Sequence, residues 1–225
     1  MAEKRITFEG HSPEVRIRIR GKQENSKTRR VFLLSPANSS GIRARILFSA
    51  NSQFDLAQRL RNGSVPLGEV FSFISGLYFR GKLAYAEQFK NPPAGIAGVH
   101  IITPAAGLLV PEEPMTLQKL QSICGTSVDP ENPVYRGPLD RDAFRLREAL
   151  EPDAQVILLG SIATPKYVLP LLEIFGDRLL FPSDFVGRGD MSRGGLLLRS
   201  CSSNSPLEYA AVLGTVLRGR PKKKS

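Results

Sequence analysis

The chain has 225 residues, 41% of them hydrophobic, with a net charge of +10 and a pI near 9.9, which permits a sizeable core. Two cysteines far apart and two histidines exclude a disulfide framework and a histidine-rich metal site, and no apolar run reaches membrane-spanning length. The basicity sits in the ends: residues 1–30 hold nine Lys/Arg and four Glu, residues 218–225 five basic residues and no acid, and residues 31–217 seventeen of each sign.

This distribution divides the chain into a basic extension (1–30), an α/β domain (31–217) and a basic tail (218–225) with too few apolar residues to fold. In the extension Arg16, Arg18 and Arg20 alternate with isoleucines, so an extended strand carries three guanidinium groups on one face. That face suits either nucleic-acid phosphates or the protection of a sheet edge by charge. Lys222, Lys223 and Lys224 in the tail suit a polyanion or simply solvation. Cysteine usage and the lack of a secretory signal lead to an expectation of a cytoplasmic protein.

Val31–Leu34 is the first strand expected of a sheet covered on both faces, and it ends in the small polar loop from Ser35 through Asn38 to Gly41. Open parallel sheets bind ligands at the carboxyl ends of their strands, which makes Ser35 and Asn38 candidate ligand contacts. Ser52 caps an expected helix over 54–61 that Asn62-Gly63 ends, Pro66 opens an apolar segment, and residues 77–86 read as a helix with Tyr78 and Tyr85 on one face as core.

Val99–Thr103 is the next strand, followed by a turn at Gly107 that joins the candidate ligand loops. Thr116 caps a helix to Cys124, residues 125–138 read as a polar, proline-rich connection, and Asp140 caps an amphipathic helix that buries Phe144, Leu146 and Leu150. His100 lies inside its apolar strand, where a satisfied histidine outweighs a catalytic base.

The densest polar chemistry lies between 156 and 199. The strand Val156–Leu159 runs into Gly160 and Ser161, then Thr164-Pro165-Lys166 starts a helix with Gly176 as its cap, and Pro170 should kink it. Backbone N–H groups at such a turn suit an anion, which names Gly160, Ser161, Thr164 and Lys166 as ligands, although phosphate-loop and dinucleotide glycine patterns are missing. After a strand at 178–181 comes a glycine-punctuated polar loop at 182–195. Its Arg188, Ser192 and Arg193 form an expected anion clamp, or else Arg188 and Arg193 pair internally with Asp184 and Asp190. Asp184 and Asp190 are the candidate catalytic groups of a metal-independent reaction, because a carboxylate accepts a proton unaided.

The order of elements implies an α/β fold with a largely parallel sheet flanked by helices, with residues 196–198 and 207–212 as antiparallel edges. Ser35-Pro36-Ala37 after a strand, Leu77-Tyr78-Phe79 with Tyr85-Ala86 downstream, and Gly107-Leu108-Leu109 before Pro111 resemble landmarks of bacterial peroxide-stress (YaaA-type) proteins, with Asn38 where those carry a lysine. The resemblance covers the middle third and implies a uracil-DNA-glycosylase-like fold and an association with DNA.

The expected function is binding of a nucleotide or nucleic acid through glycine-rich loops and basic termini. A hydrolase or glycosylase acting on nucleobases or nucleosides and a non-enzymatic interaction module are the alternatives. No motif implies a cofactor or a metal.

Overall fold

The computed structural model describes residues 28–214 and the backbone of two short strands, β1 (Arg5–Ile6) and β2 (Val15–Arg16), which pair antiparallel with Arg5 opposite Arg16. The rest of the arginine-bearing segment, with Arg18 and Arg20, and the tail with Lys222, Lys223 and Lys224, lie outside the described residues.

Four parallel strands form the centre of a six-stranded sheet: β3 (Arg30–Leu34), β5 (Val99–Ile102), β8 (Gln155–Leu159) and β9 (Leu179–Pro182). Antiparallel edges close it, β6 (Leu108–Leu109) beside β5 and β10 (Tyr209–Ala211) beside β9, so the spatial order is β10-β9-β8-β3-β5-β6. A separate two-stranded pair joins β4 (Val65–Pro66) to β7 (Pro114–Met115). β3 and β8 are continuous apolar runs because both faces of the sheet are covered. Phe32, Leu34, Ile157 and Leu159 pack into one core, and Val31, Leu33, Val156 and Leu158 into the other.

The first core is roofed by α1 (Ile42–Phe48), α2 (Asp55–Asn62), α3 (Leu67–Ser75), α4 (Leu77–Phe89), α5 (Leu117–Cys124) and α8 (Asp190–Ser202). The second is roofed by α6 (Pro133–Ala149) and α7 (Pro165–Phe175). Among the described residues no helix is long and apolar enough to cross a membrane.

Several local expectations are corrected. Residues 190–195 are the first turns of α8 rather than loop, and residues 196–198 belong to the same helix; of the two expected edges only the one at Tyr209–Ala211 forms. α6 starts seven residues before Asp140, where the Asn132 side chain accepts from the Val134 amide (3.0 Å) and Pro133 takes the first position, so residues 133–138 are helical. Phe144 faces outward on it, 46% exposed, while Leu146 and Leu150 are buried. Ser52 does not cap α2; its hydroxyl donates to the Ile46 carbonyl (2.5 Å). Thr116 does cap α5, accepting from the Lys119 amide (3.2 Å), and Gly176 ends α7 at φ 56°. Thr164 occupies the N-cap position of α7 with no side-chain capping bond.

α7 runs as one helix past Pro170. A proline removes the N–H that would bond the carbonyl four residues back, here that of Lys166. The Tyr135 hydroxyl on α6 donates to that carbonyl (2.9 Å) and replaces the missing bond. Tyr135→Phe is therefore expected to cost about 1–2 kcal/mol, the price of one unmade buried hydrogen bond. Adding Pro170→Ala should recover most of the loss in chemical denaturation, because the backbone N–H returns; equal losses in both backgrounds would contradict the replacement.

Candidate functional site

β3 and β8 lie side by side, yet the chain leaves them on opposite faces of the sheet. From β3 it passes through α1 to α4 on the first face to reach β5; from β8 it passes through α7 on the second face to reach β9. In open α/β sheets such a divergence forms a ligand crevice beyond the carboxyl ends of the two strands. Ser35 and Gly160 are the first residues past the two strands. The Ser35 amide donates to the Leu159 carbonyl (3.1 Å), and a Cβ placed on Gly160 would lie 3.0 Å from Ser35 Cβ and 3.2 Å from its Oγ. The glycine thus leaves the space beside the Ser35 hydroxyl free of a side chain.

α4 closes the floor of the crevice. It turns Tyr78, Lys82, Tyr85 and Ala86 inward, the i, i+4, i+7, i+8 stripe of a buried helical face. Lys82 is 1% exposed. Its Nζ donates to the Ser35 carbonyl oxygen (2.6 Å) and lies 2.9 Å from Ser35 Oγ. The rings of Tyr78 and Phe79 sit below it, 4.7 and 4.8 Å from Nζ to the centroids. Among the described residues no carboxylate reaches Nζ at salt-bridge distance; burial pushes the ammonium down to about 7, opposed by the charge of Asp190.

The Tyr78 hydroxyl is buried and, among the described residues, is the one buried side-chain polar atom without a hydrogen-bond partner. Burial pushes its pKa up to about 12, Arg193 lowers it, and Asp190 and Tyr167 raise it further. The Arg193 guanidinium favours the phenolate both by its charge and by a side-chain approach to the hydroxyl whose geometry falls short of a full hydrogen bond. Tyr167, in the first turn of α7, also feels Asp190 and is held above its ordinary value, chiefly by burial. The polar groups of α4, the N-terminal turn of α7 and the N-terminal turn of α8 therefore lie within electrostatic reach of one another.

The structure brings together Ser35, Gly160, Asp190 and Arg193 of the residues expected from the sequence, and adds Tyr78, which the sequence placed in the core, and Lys82, which sequence reasoning missed. The available signal was a lysine at an apolar-stripe position, four residues after Tyr78. Ser161 and Thr164 line the loop from β8 to α7, with Ser161 Oγ accepting from the Ala163 amide (3.3 Å), and Lys166 is exposed.

Local hydrogen bonds hold the remaining candidates and Arg193 itself. Asn38 Oδ1 accepts from the amide (3.1 Å) and hydroxyl (2.7 Å) of Ser40. Gly107 turns at φ 67° against Asp142, whose carboxylate accepts from the Leu108 amide (3.1 Å). Arg188 donates to the Asp184 carbonyl (2.8 Å) and to Ser192 Oγ (3.2 Å). Arg193 donates twice to the Phe185 carbonyl (3.2 and 3.0 Å), with Asp190 3.6 Å away.

Backbone carbonyls hold Arg188 and Arg193, and of the two aspartates only Asp190 forms an ion pair, with Arg193. Of Arg16 only the strand backbone is described. His100 Nε2 is 2.9 Å from the Ala97 carbonyl, and burial lowers its pKa. Among the described residues no three His, Cys, Asp or Glu side chains cluster to hold a metal. Comparison with protein-family models, with curated proteins and with solved structures finds no match.

Proposed function

We propose that the chain binds a small anionic ligand, a nucleotide or another compound with a phosphate or carboxylate group, in the crevice beyond β3 and β8. The observation that carries this reading is the Tyr78 hydroxyl, buried and unpartnered beside Arg193 and near Lys82. A buried donor left unmade costs about 1–3 kcal/mol, and a ligand oxygen placed against it recovers that cost. Lys82 adds a charge that appears only on demand: poised near neutrality, it takes up a proton when an anion arrives. The eleven-residue α7 points its N-terminus toward the same place, and its dipole favours negative charge there.

Nucleic acid is a larger form of the same ligand class, for which the basic ends provide the additional phosphate contacts. Of the two aspartates that could serve a reaction, Asp190 is the one that acts on the cluster; its charge is felt by Tyr78, Lys82 and Tyr167.

A thermal-shift series with nucleoside phosphates, phosphosugars, dicarboxylates and short oligonucleotides tests the reading. A ligand at a hundred times its dissociation constant adds about 2.7 kcal/mol, a rise of roughly 5–10 °C for a chain of this size. Tyr78→Phe is expected to weaken that ligand on the order of tenfold, as the loss of a hydrogen bond to a charged group. A small-molecule shift that neither Tyr78→Phe nor Lys82→Met alters places the ligand elsewhere and overturns the reading. Oligonucleotide shifts that survive both changes assign polyanion binding to the termini.

A further inference from the structure

We propose that Ser35 is a nucleophile and Lys82 its general base, making the crevice a site for hydrolysis of a carboxylic ester or amide that carries an anionic group; this rests on the reading of the crevice as the ligand site.

Three features of geometry combine. Ser35 Oγ lies 2.9 Å from Lys82 Nζ, within proton-transfer reach. A second bond from Nζ to the Ser35 carbonyl, 2.6 Å, anchors the amine so that its lone pair can face the hydroxyl. On the other side of Ser35, which is itself 6% exposed, Gly160 sets no side chain against Oγ, and the pair stands at the end of a parallel strand where the sheet's connections diverge. A lysine serves as a base only when neutral, and full burial over the faces of Tyr78 and Phe79, with no carboxylate of the described residues at salt-bridge distance, favours that form. A lysine retained for stability alone would be expected to pair with a carboxylate, since an isolated buried ammonium is costly.

The reaction balances without a further reagent. Ser35 Oγ attacks the carbonyl carbon while its proton passes to the Lys82 lone pair. As the bond from carbon to the leaving oxygen or nitrogen breaks, the Lys82 ammonium returns that proton to the departing group. A water molecule then adds to the acyl-serine, giving a proton to Lys82. The bond to Oγ breaks, the proton returns to Ser35, and a carboxylic acid is released. Arg193 and the N-terminus of α7 take the anionic end of the substrate.

The test uses the full chain and methanesulfonyl fluoride, a small probe that exchanges its S–F bond for a bond to serine oxygen, with fluoride leaving and the proton going to Lys82. Intact-mass measurement should show one sulfonyl group per chain, and peptide mapping should place it on Ser35. The labelling rate should rise with pH to half its maximum near pH 7, fall at least a hundredfold in Lys82→Met, and vanish in Ser35→Ala.

The pH profile is read on the wild-type chain, so it stands whether or not a variant folds. No adduct on Ser35, labelling in Lys82→Met at the wild-type rate, or a rate that follows an ordinary serine through pH 7 each overturns the proposal. Ligand shifts that depend on Tyr78 while Ser35 stays unlabelled would remove the nucleophile and leave the binding reading intact; labelled Ser35 with no anion-dependent shift would do the reverse.

Discussion

Replacing Gly81 by alanine is expected to lower stability by about 1–3 kcal/mol and the melting temperature by roughly 2–12 °C. α4 and α8 cross there backbone against backbone. A Cβ on Gly81 would stand 2.8 Å from the Gly194 carbonyl oxygen, and one on Gly194 would stand 2.9 Å from Tyr78 Cα. Main-chain atoms cannot step aside as a flexible side-chain end does, so the helices must separate.

That separation moves Tyr78 and Lys82 away from Asp190 and Arg193, and the variant should also lose ligand affinity disproportionately to its stability. Gly137→Ala, on the exposed face of α6, is the control, since a Cβ there meets nothing within 4 Å; alanine's helix propensity should leave that variant as stable as the parent or more so, by up to about 1 kcal/mol. Equal melting of the two variants would show that the crossing tolerates a methyl group and that close approach is not what Gly81 provides.

The second large effect is a dependence of stability on pH that Lys82 imposes. Its ammonium is pushed from 10.5 down to about 7, so between those values the folded chain holds the amine neutral while the unfolded chain holds it protonated. The unfolded state then binds more protons, and stability increases as pH rises through this window. Over its full width the difference is on the order of 5 kcal/mol.

The groups facing Nζ are the Ser35 carbonyl and hydroxyl, the Tyr78 and Phe79 rings and, at longer range, Asp190; Arg193 and Tyr167 join through Tyr78. Tyr78 and Tyr85, both raised to about 12, act in the opposite sense only above pH 10. Denaturant melts of the wild type from pH 6 to 10 should therefore show stability rising, and Lys82→Met should remove that rise. The methionine variant should be the more stable at pH 6, where no charge is buried, and the less stable at pH 10, where only its Ser35 carbonyl lacks a partner. Parallel curves would show that Lys82 keeps its proton in the folded chain.

This conflict between stability and charge explains why the site was half visible in the sequence. The strands were legible because burial on both faces demands runs such as Val31–Leu34 and Val156–Leu159, and the loops after them followed from the rule that parallel sheets bind at strand ends. Ser35 and Gly160 became candidates that way.

Residues 190–195 were read as loop rather than helix for a physical reason: their glycines suggest a loop, whereas Gly194 is small because α4 lies against it. Tertiary contact overrode local helix propensity, which disfavours glycine. Lys82 went unnoticed because a lysine in a helix is ordinarily a solvated surface residue; only its place on the stripe with Tyr78, Tyr85 and Ala86 marks it as buried. Asp140 was taken for a cap because its spacing to later apolar residues fits one, but Asn132-Pro133 supplies a stronger start seven residues earlier.

The most direct measurement is the ionisation of Lys82 itself, followed by nuclear magnetic resonance of labelled lysine side chains across pH 5 to 11, with Lys82→Met to assign the signal. A midpoint near 7 is expected, moving upward when an anionic ligand occupies the crevice. A midpoint near 10.5, unmoved by ligand, would contradict it: the amine would then be a solvated cation, and neither the anion site nor the base for Ser35 would stand.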